Sequence, residues 1–290
     1  MKRTGIIAAA ALLAGTCSLR AQTTVDPEHP FAYAGNAGWL LASGDTAHGA
    51  AIGLSFCSGY LWSATCGWIG LGNGPTNGWR YTQSSASDWG VNHDGEGRLT
   101  GFAYGANIGW VTFEQTYGKP RIDLRSGVMS GAAWSANIGW IGFSNALAHV
   151  RVASLSTGAD SDGDAIPDAW EYRRAGNLTA LRGNGADADG DGVADRQEYS
   201  ADTDPQSAAS ALKIVALQRL GASDQVDWTV EPTRFYRLRK TSALGAGAAW
   251  SDSGAGLLSP GAAATLARQV SAAGATARFY RVQAVLPLSE

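Results

Sequence analysis

Four Gly-Trp pairs that share a common flanking sequence constrain this chain more than any other feature. Aligned on Trp39, Trp68, Trp110 and Trp140, the sequence falls into register at intervals of 29, 42 and 30 residues. Self-similarity at a fixed period marks a set of equivalent supersecondary units that must pack on one another to bury a core. The clearest copies are Gly101-Phe-Ala-Tyr-Gly-Ala-Asn-Ile-Gly-Trp-Val111 and Gly131-Ala-Ala-Trp-Ser-Ala-Asn-Ile-Gly-Trp-Ile141. Phe31 to Trp39 and Gly59 to Trp68 are degenerate copies, and the long interval carries an insertion around Gly72 to Ser87.

Each unit reads as strand, turn, strand: an aromatic-rich run, a turn of small residues and asparagine, then Ile-Gly-Trp-Ile/Val. Asp94-Gly95-Glu96-Gly97 and Asp123 to Gly127 mark a second turn before Leu99 and Met129, so each unit has room for three short strands. Both side-chain parities are apolar, as in Phe102 and Tyr104 against Leu99 and Ala103. That pattern predicts sheet covered on both faces, with strand tryptophans mostly in the core.

The chain is therefore expected to be mostly β. Its 38 glycines and 11 tryptophans favour strands joined by many turns. Lys2 and Arg3 followed by the apolar run Ile6 to Ala14 read as a signal peptide over 1–21, cleaved after Ala21, which predicts a secreted or cell-surface protein. A lipid-modified Cys17 is the alternative. No later apolar run is long enough to span a bilayer. A net charge of -3 gives no reason to expect the basic surface that nucleic acid requires, so no nucleic-acid partner is expected. Export leaves Cys57 and Cys66, and an oxidising compartment predicts that they bridge. The repeat alignment puts both at core positions, so a bridge demands a bent second unit.

Between residues 160 and 204, twelve acids face four arginines. Asp160-Ser-Asp-Gly-Asp-Ala-Ile-Pro-Asp-Ala-Trp-Glu171 alternates carboxylates along a short loop, the arrangement a hard cation with six to eight oxygen ligands needs. Its expected calcium ligands are Asp160, Asp162, Asp164, the Ile166 carbonyl, Asp168 and Glu171. The second loop, 27 residues on, offers Asp187, Asp189, Asp191, the Val193 carbonyl, Asp195 and Glu198. Gly192 stands at the sharp turn of the second loop where the first has Ala165, so the second site is expected to be tighter. Short helices should leave each loop over Trp170 to Arg174 and Ala194 to Tyr199. Pro205 to Ser210 reads as a linker, and strand-like runs return at Val226 to Val230, Arg234 to Arg239 and Arg278 to Val285, with Trp228 and Trp250 available to a core. Four parts result: signal peptide 1–21, Gly-Trp β repeats 22–150, calcium segment 151–207 and a β-sandwich-like domain 208–290.

These loops resemble the thrombospondin type 3 and EF-hand-like Asp-x-Asp-Gly-Asp-Gly motifs of large secreted bacterial proteins, over about residues 158 to 206. Pro167, at the position whose amide joins paired EF-hands, makes the type 3 style the nearer one. The Gly-Trp repeats resemble Gly-Tyr-Ala-Trp-Ser-x-Asn-Ile-Gly-Trp-Ile arrays of bacterial surface proteins, and Arg278-Phe-Tyr-Arg281 resembles their C-terminal β modules. The resemblance implies an adhesion-type structural protein, not an enzyme, in which calcium rigidifies the connection between two β domains. Its partner would be an extracellular protein or glycan, and the chain itself a monomer. The alternative is a glycan-binding module, with Trp79 and Trp89, beside the insertion and outside the repeat, as the exposed candidates. His29, His48, His93 and His149 lack ligand or triad spacing, and no nucleophile elbow, phosphate loop or zinc helix is present.

Overall fold

The computed structural model describes residues 23–44, 47–272 and 277–289. The signal-peptide reading, with Cys17, lies outside them. The four Gly-Trp units are four hairpins: Val25–Ala34 with Gly38–Leu41, Tyr60–Ser63 with Gly67–Gly70, Leu99–Gly105 with Gly109–Thr112, and Ala132–Ser135 with Gly139–Gly142. Each pairs antiparallel with the next, and the last returns to the first through Ile141 opposite Ala34. Eight strands thus close into a barrel, which leaves its sheet no free edge. The protein is mostly β, as the repeats require.

Barrel closure sorts the two parities. Inside, each hairpin contributes one residue to each of several layers. Small Ala32, Ala103 and Ala133, with Leu61, form one layer; Leu40, Ile69, Val111 and Ile141 form the next, and all eight are buried. Alanine on one strand leaves room for a branched side chain on its neighbour, and a hollow among Leu61, Cys57, Leu99 and Val150 has a volume of only about 20 Å³. Outside, Tyr33, Trp62, Tyr104 and Trp134 stand directly opposite Trp39, Trp68, Trp110 and Trp140. All eight are 38–50% exposed. The expectation of core tryptophans is corrected here: inside a closed eight-strand barrel the inward parity has space only for small and branched residues, so the indoles face out.

One barrel end is sealed by the hairpin turns. Ala37, Cys66, Ile108 and Ile138 plug it, each just before a left-handed glycine such as Gly38 (φ 73°) or Gly109 (φ 69°). The repeat asparagines tie these turns in sequence around the rim. Asn36 donates to the Ile138 carbonyl at 3.3 Å, Asn107 to Cys66 at 3.2 Å and Asn137 to Ile108 at 2.9 Å. The second unit has Thr65 instead, and there Ser63 Oγ reaches the Ala37 carbonyl at 3.5 Å. The other end is closed by the third strands, among them Val91–His93 and Met129–Ser130, reached through the two aspartate turns. His93 is buried there as the neutral imidazole, donating from Nδ1 to Gly53 O (2.8 Å) and accepting at Nε2 from the Gly97 amide (3.1 Å).

The expected disulfide does not form: Cys57 and Cys66 are buried and unbridged. Cys66 belongs to the turn plug, whereas Cys57 pairs opposite Ile52 at the far end of the barrel. More than about 15 Å of extended chain separates them, against a Cα separation of roughly 6 Å in a disulfide. Burial pushes the Cys57 thiol up to about 12, which makes it a poor nucleophile. Thiol titration of the chain from Gln22 onward should therefore find two reactive groups in denaturant and none under native conditions. A result of no thiols in denaturant would restore the bridge.

Beyond the barrel come two short helices, α1 (Asp168–Ala175) and α2 (Asp195–Ala201), packed through a small core of Ile166, Trp170, Leu181 and Tyr199. The C-terminal part is a sandwich of two three-stranded sheets around Val226, Trp228, Tyr236 and Leu238. Its echo strands pair with each other, Leu238 opposite Val282. Trp228 is in this core. Trp250 is only half-buried, under the Arg281 guanidinium at 4.6 Å, and not in the core as expected. Among the described residues no helix is long and apolar enough to cross a membrane.

Candidate metal centre

The two acidic loops share their main turn bonds. Asp160 accepts from the amides of Gly163 (2.8 Å) and Ala165 (3.0 Å), and Asp187 accepts from Gly190 (2.7 Å) and Gly192 (2.8 Å). Asp164 takes the Ile166 amide and Asp191 the Val193 amide. These bonds wind the backbone so tightly that alternate carboxylates converge. Oxygens of Asp160, Asp162 and Asp164 lie within 4.8 Å of one another, as do those of Asp187, Asp189 and Asp191, so each cluster could hold a metal ion.

Asp168 and Asp195, also expected as ligands, hold hydrogen bonds to the loops. Like Asp160 and Asp187, each offers both oxygens to donors within the protein. Asp168 accepts from the amide and hydroxyl of Ser161 (2.7 and 2.6 Å), and Asp195 from the amides of Ala188 and Arg182 (both 2.9 Å). They brace the loops from the first turn of each helix and fall outside the clusters. Ile166 and Val193 follow the sharp turn as expected, and the Ile166 side chain anchors the small core.

Glu171 and Glu198, three residues into the helices, lie outside the two clusters but within reach of their charges. Both are fully buried. Neither oxygen of Glu171 has a hydrogen-bond partner; Glu198 offers one oxygen to Thr203 Oγ1 at 3.1 Å and leaves the other unpartnered, and Asp189 Oδ2 is also buried without one. Desolvation first, then the charges of Asp162, Asp164, Asp168 and Asp160, pushes Glu171 up to about 8. Desolvation and the second acidic cluster push Glu198 up to about 7, against the Thr203 bond. A buried carboxylate without a donor costs several kcal/mol unless a cation or proton neutralises it. The all-oxygen donor set fits a hard cation.

The difference at the sharp turn is visible in the backbone. Ala165 adopts φ 72° and Gly192 φ 94°, so both loops need the left-handed conformation and only the first places a Cβ there. Ala165→Gly should relieve about 1 kcal/mol, and so tighten the first site about fivefold. Gly192→Ala should weaken the second by a similar factor, since nothing lies within 4 Å of the added methyl to oppose it sterically. Calorimetric titration that shows no change in either variant would contradict this.

The loops are not joined to each other by a β-bridge among the described residues. The amides of Gly183 and Arg182 link them, donating to Asp164 (2.6 Å) and Asp195 (2.9 Å), and the helices are tied by Asp202, which ends α2 in the left-handed conformation (φ 60°) and is 3% exposed. Its carboxylate accepts from Trp170 Nε1 (2.8 Å), from Arg173 and from Thr233 Oγ1, with Arg234 at 3.9 Å. Arg234, equally buried, also donates to the carbonyls of Tyr199 (2.8 Å) and Ser200 (2.9 Å). α1, α2 and the C-terminal sandwich therefore meet at one charge cluster. Toward the barrel, Ser156 bridges Gly53 in parallel, and the Tyr172 ring lies against Gly78 so closely that any side chain there would collide with it. Neither Asp202 nor Thr203 stood out in the sequence; their partners are distant residues or lie across the helix end, and no local pattern marks them. No family model, curated protein or solved structure matches the chain.

Proposed function

We propose that this chain is an exported, cell-surface or secreted structural protein in which two calcium ions rigidify the junction between a β-barrel and a β-sandwich. The observation that carries the reading is Glu171, a fully buried carboxylate with both oxygens unpartnered beside three converging aspartates. A divalent cation supplies the missing charge partner, and calcium, with its six to eight flexible oxygen ligands, suits the donor set better than magnesium, which keeps its waters and an octahedron.

The support for a structural role lies in what the loops hold. The first is continuous with the Ser156 bridge to the barrel, the second leads into α2, and α2 ends on the Asp202 cluster that grips the sandwich. Without the ions, like charges crowd both loops and the junction loosens. Pro167 and the absence of a bridge between the loops favour a fixed brace over an opening EF-hand pair. The barrel then presents its surface to an extracellular partner. Limited proteolysis tests the idea: chelator should admit cleavage between residues 160 and 200, and calcium should protect. Equal cleavage in both would refute it.

A further inference from the structure

We infer that the insertion after the second hairpin builds a subsite for a neutral sugar on the outer face of the barrel, separate from the metal loops. A cleft of about 420 Å³ opens there between the insertion and the third hairpin. Its aromatic wall is Trp89, Phe102 and Trp110; its rim is Gln83, Ser84 and Ser85. The volume is within the range of small-ligand clefts.

The insertion is held in place. Tyr81, 1% exposed, donates its hydroxyl to the Cys57 carbonyl (2.9 Å) and accepts the Gly74 amide (2.8 Å). Asp88, 2% exposed, gathers the amides of Thr76 (3.3 Å) and Thr82 (3.0 Å) together with the Thr82 hydroxyl. Gln83, at φ 60°, clamps Gly90 with its side-chain amide, giving 2.7 Å to the carbonyl. Trp89 meets Trp110 edge to face, with centroids 5.4 Å apart and planes at 86°, which fixes both rings. Little order therefore remains to be imposed when a ligand enters.

The lining chooses the ligand. It contains no charged side chain, so an anion or cation would lose hydration without a partner. A pyranose ring carries an apolar C–H face and a rim of hydroxyls, which match aromatic rings bordered by uncharged hydroxyl and amide groups. A bilayer does not fit: six of the eight barrel strands have four residues, where a spanning strand needs about ten. Of the two tryptophans that stood apart from the repeat, only Trp89 lies here. Trp79 is half-buried against Arg80 (5.1 Å) and borders a different hollow, beside His93 and Arg173.

The test is titration of the mature full chain, in calcium, with short β-glucan, xylan, mannan and chitin oligosaccharides and with phosphatidylcholine vesicles. At least one oligosaccharide should bind. Trp110→Ala should weaken that binding about tenfold or more, and so should Ala86→Arg, which puts a charged chain into the mouth from an exposed turn without touching the core. Trp140→Ala, an equally placed girdle residue on the fourth hairpin, should leave it unchanged. The proposal is overturned if none of the sugars binds, if the vesicles bind instead, or if Trp140→Ala weakens binding as much as Trp110→Ala. Should Trp110→Ala fail to fold, Ala86→Arg decides. Because calcium binding is measured separately, failure here leaves the junction reading standing.

Discussion

Glu171→Gln should remove one of two calcium sites and, in calcium, destabilise the protein by about 4 kcal/mol, the linkage energy of a site held a thousandfold above its dissociation constant. In chelator the same substitution should be close to neutral. With its carboxyl at about 8, Glu171 of the metal-free fold already carries a proton at neutral pH, so the amide replaces an uncharged group. The opposed outcomes separate a ligand from a merely buried residue: loss of stability in both conditions, with two ions still bound, would discard the assignment. The pH dependence follows with a definite sign. A carboxyl raised from 4.5 to about 8 stabilises the metal-free fold below the ordinary carboxyl range, and that contribution is lost as pH rises toward 8. Calcium must displace the proton, so its affinity should climb with pH and level off above about 8. Glu198, at about 7, should release its proton earlier, which agrees with the second loop being the tighter site near neutrality.

Asp202→Ala should cost about 3–5 kcal/mol even in saturating calcium, because it leaves the Arg234 guanidinium buried and unpaired. Burial alone would raise the Asp202 carboxyl, but Arg234, Arg173 and the bonds from Thr233 and Trp170 outweigh it and hold the group below its usual value. This contribution is therefore present above the ordinary aspartate range near pH 4 and is lost only as pH falls through the lowered value. Asp202→Asn keeps an acceptor oxygen and the left-handed helix end that asparagine tolerates, so it should lose less than Asp202→Ala. Denaturant unfolding in calcium is the measurement. A loss under about 1 kcal/mol for Asp202→Ala would show that the cluster does not hold the junction. Unlike Glu171→Gln, this variant should lose stability with and without metal.

The two sites differ in how far local sequence reaches. Asp160, Asp187 and Asp191 bind amides two to five residues away, so most of the loop geometry is written in the loop itself, while Asp164 also takes the amide of Gly183, 19 residues on. Asp168 and Asp195 share the same alternation, yet they reach back seven residues to brace the turn. The Cys57 and Cys66 case is similar. Alignment placed both at core positions correctly, and compartment chemistry suggested a bridge; the register of Trp62 opposite Trp68 puts them at opposite barrel ends.

By itself, the sequence determined the all-β character, the four repeated hairpins with their glycine turns, the two acidic loops and the short helices after them. All of these follow from interactions within about ten residues: side-chain alternation, left-handed glycine and carboxylates that bind nearby amides. Closure of the hairpins was decided only by the tertiary structure, since it depends on Ile141 meeting Ala34 across more than a hundred residues. Closure in turn decided which parity faces the bore. A narrow interior accepts alanine, valine and isoleucine and rejects indole, so the tryptophans that look like core in the sequence form the outer girdle, and the insertion meets Trp110 there as the wall of a cleft.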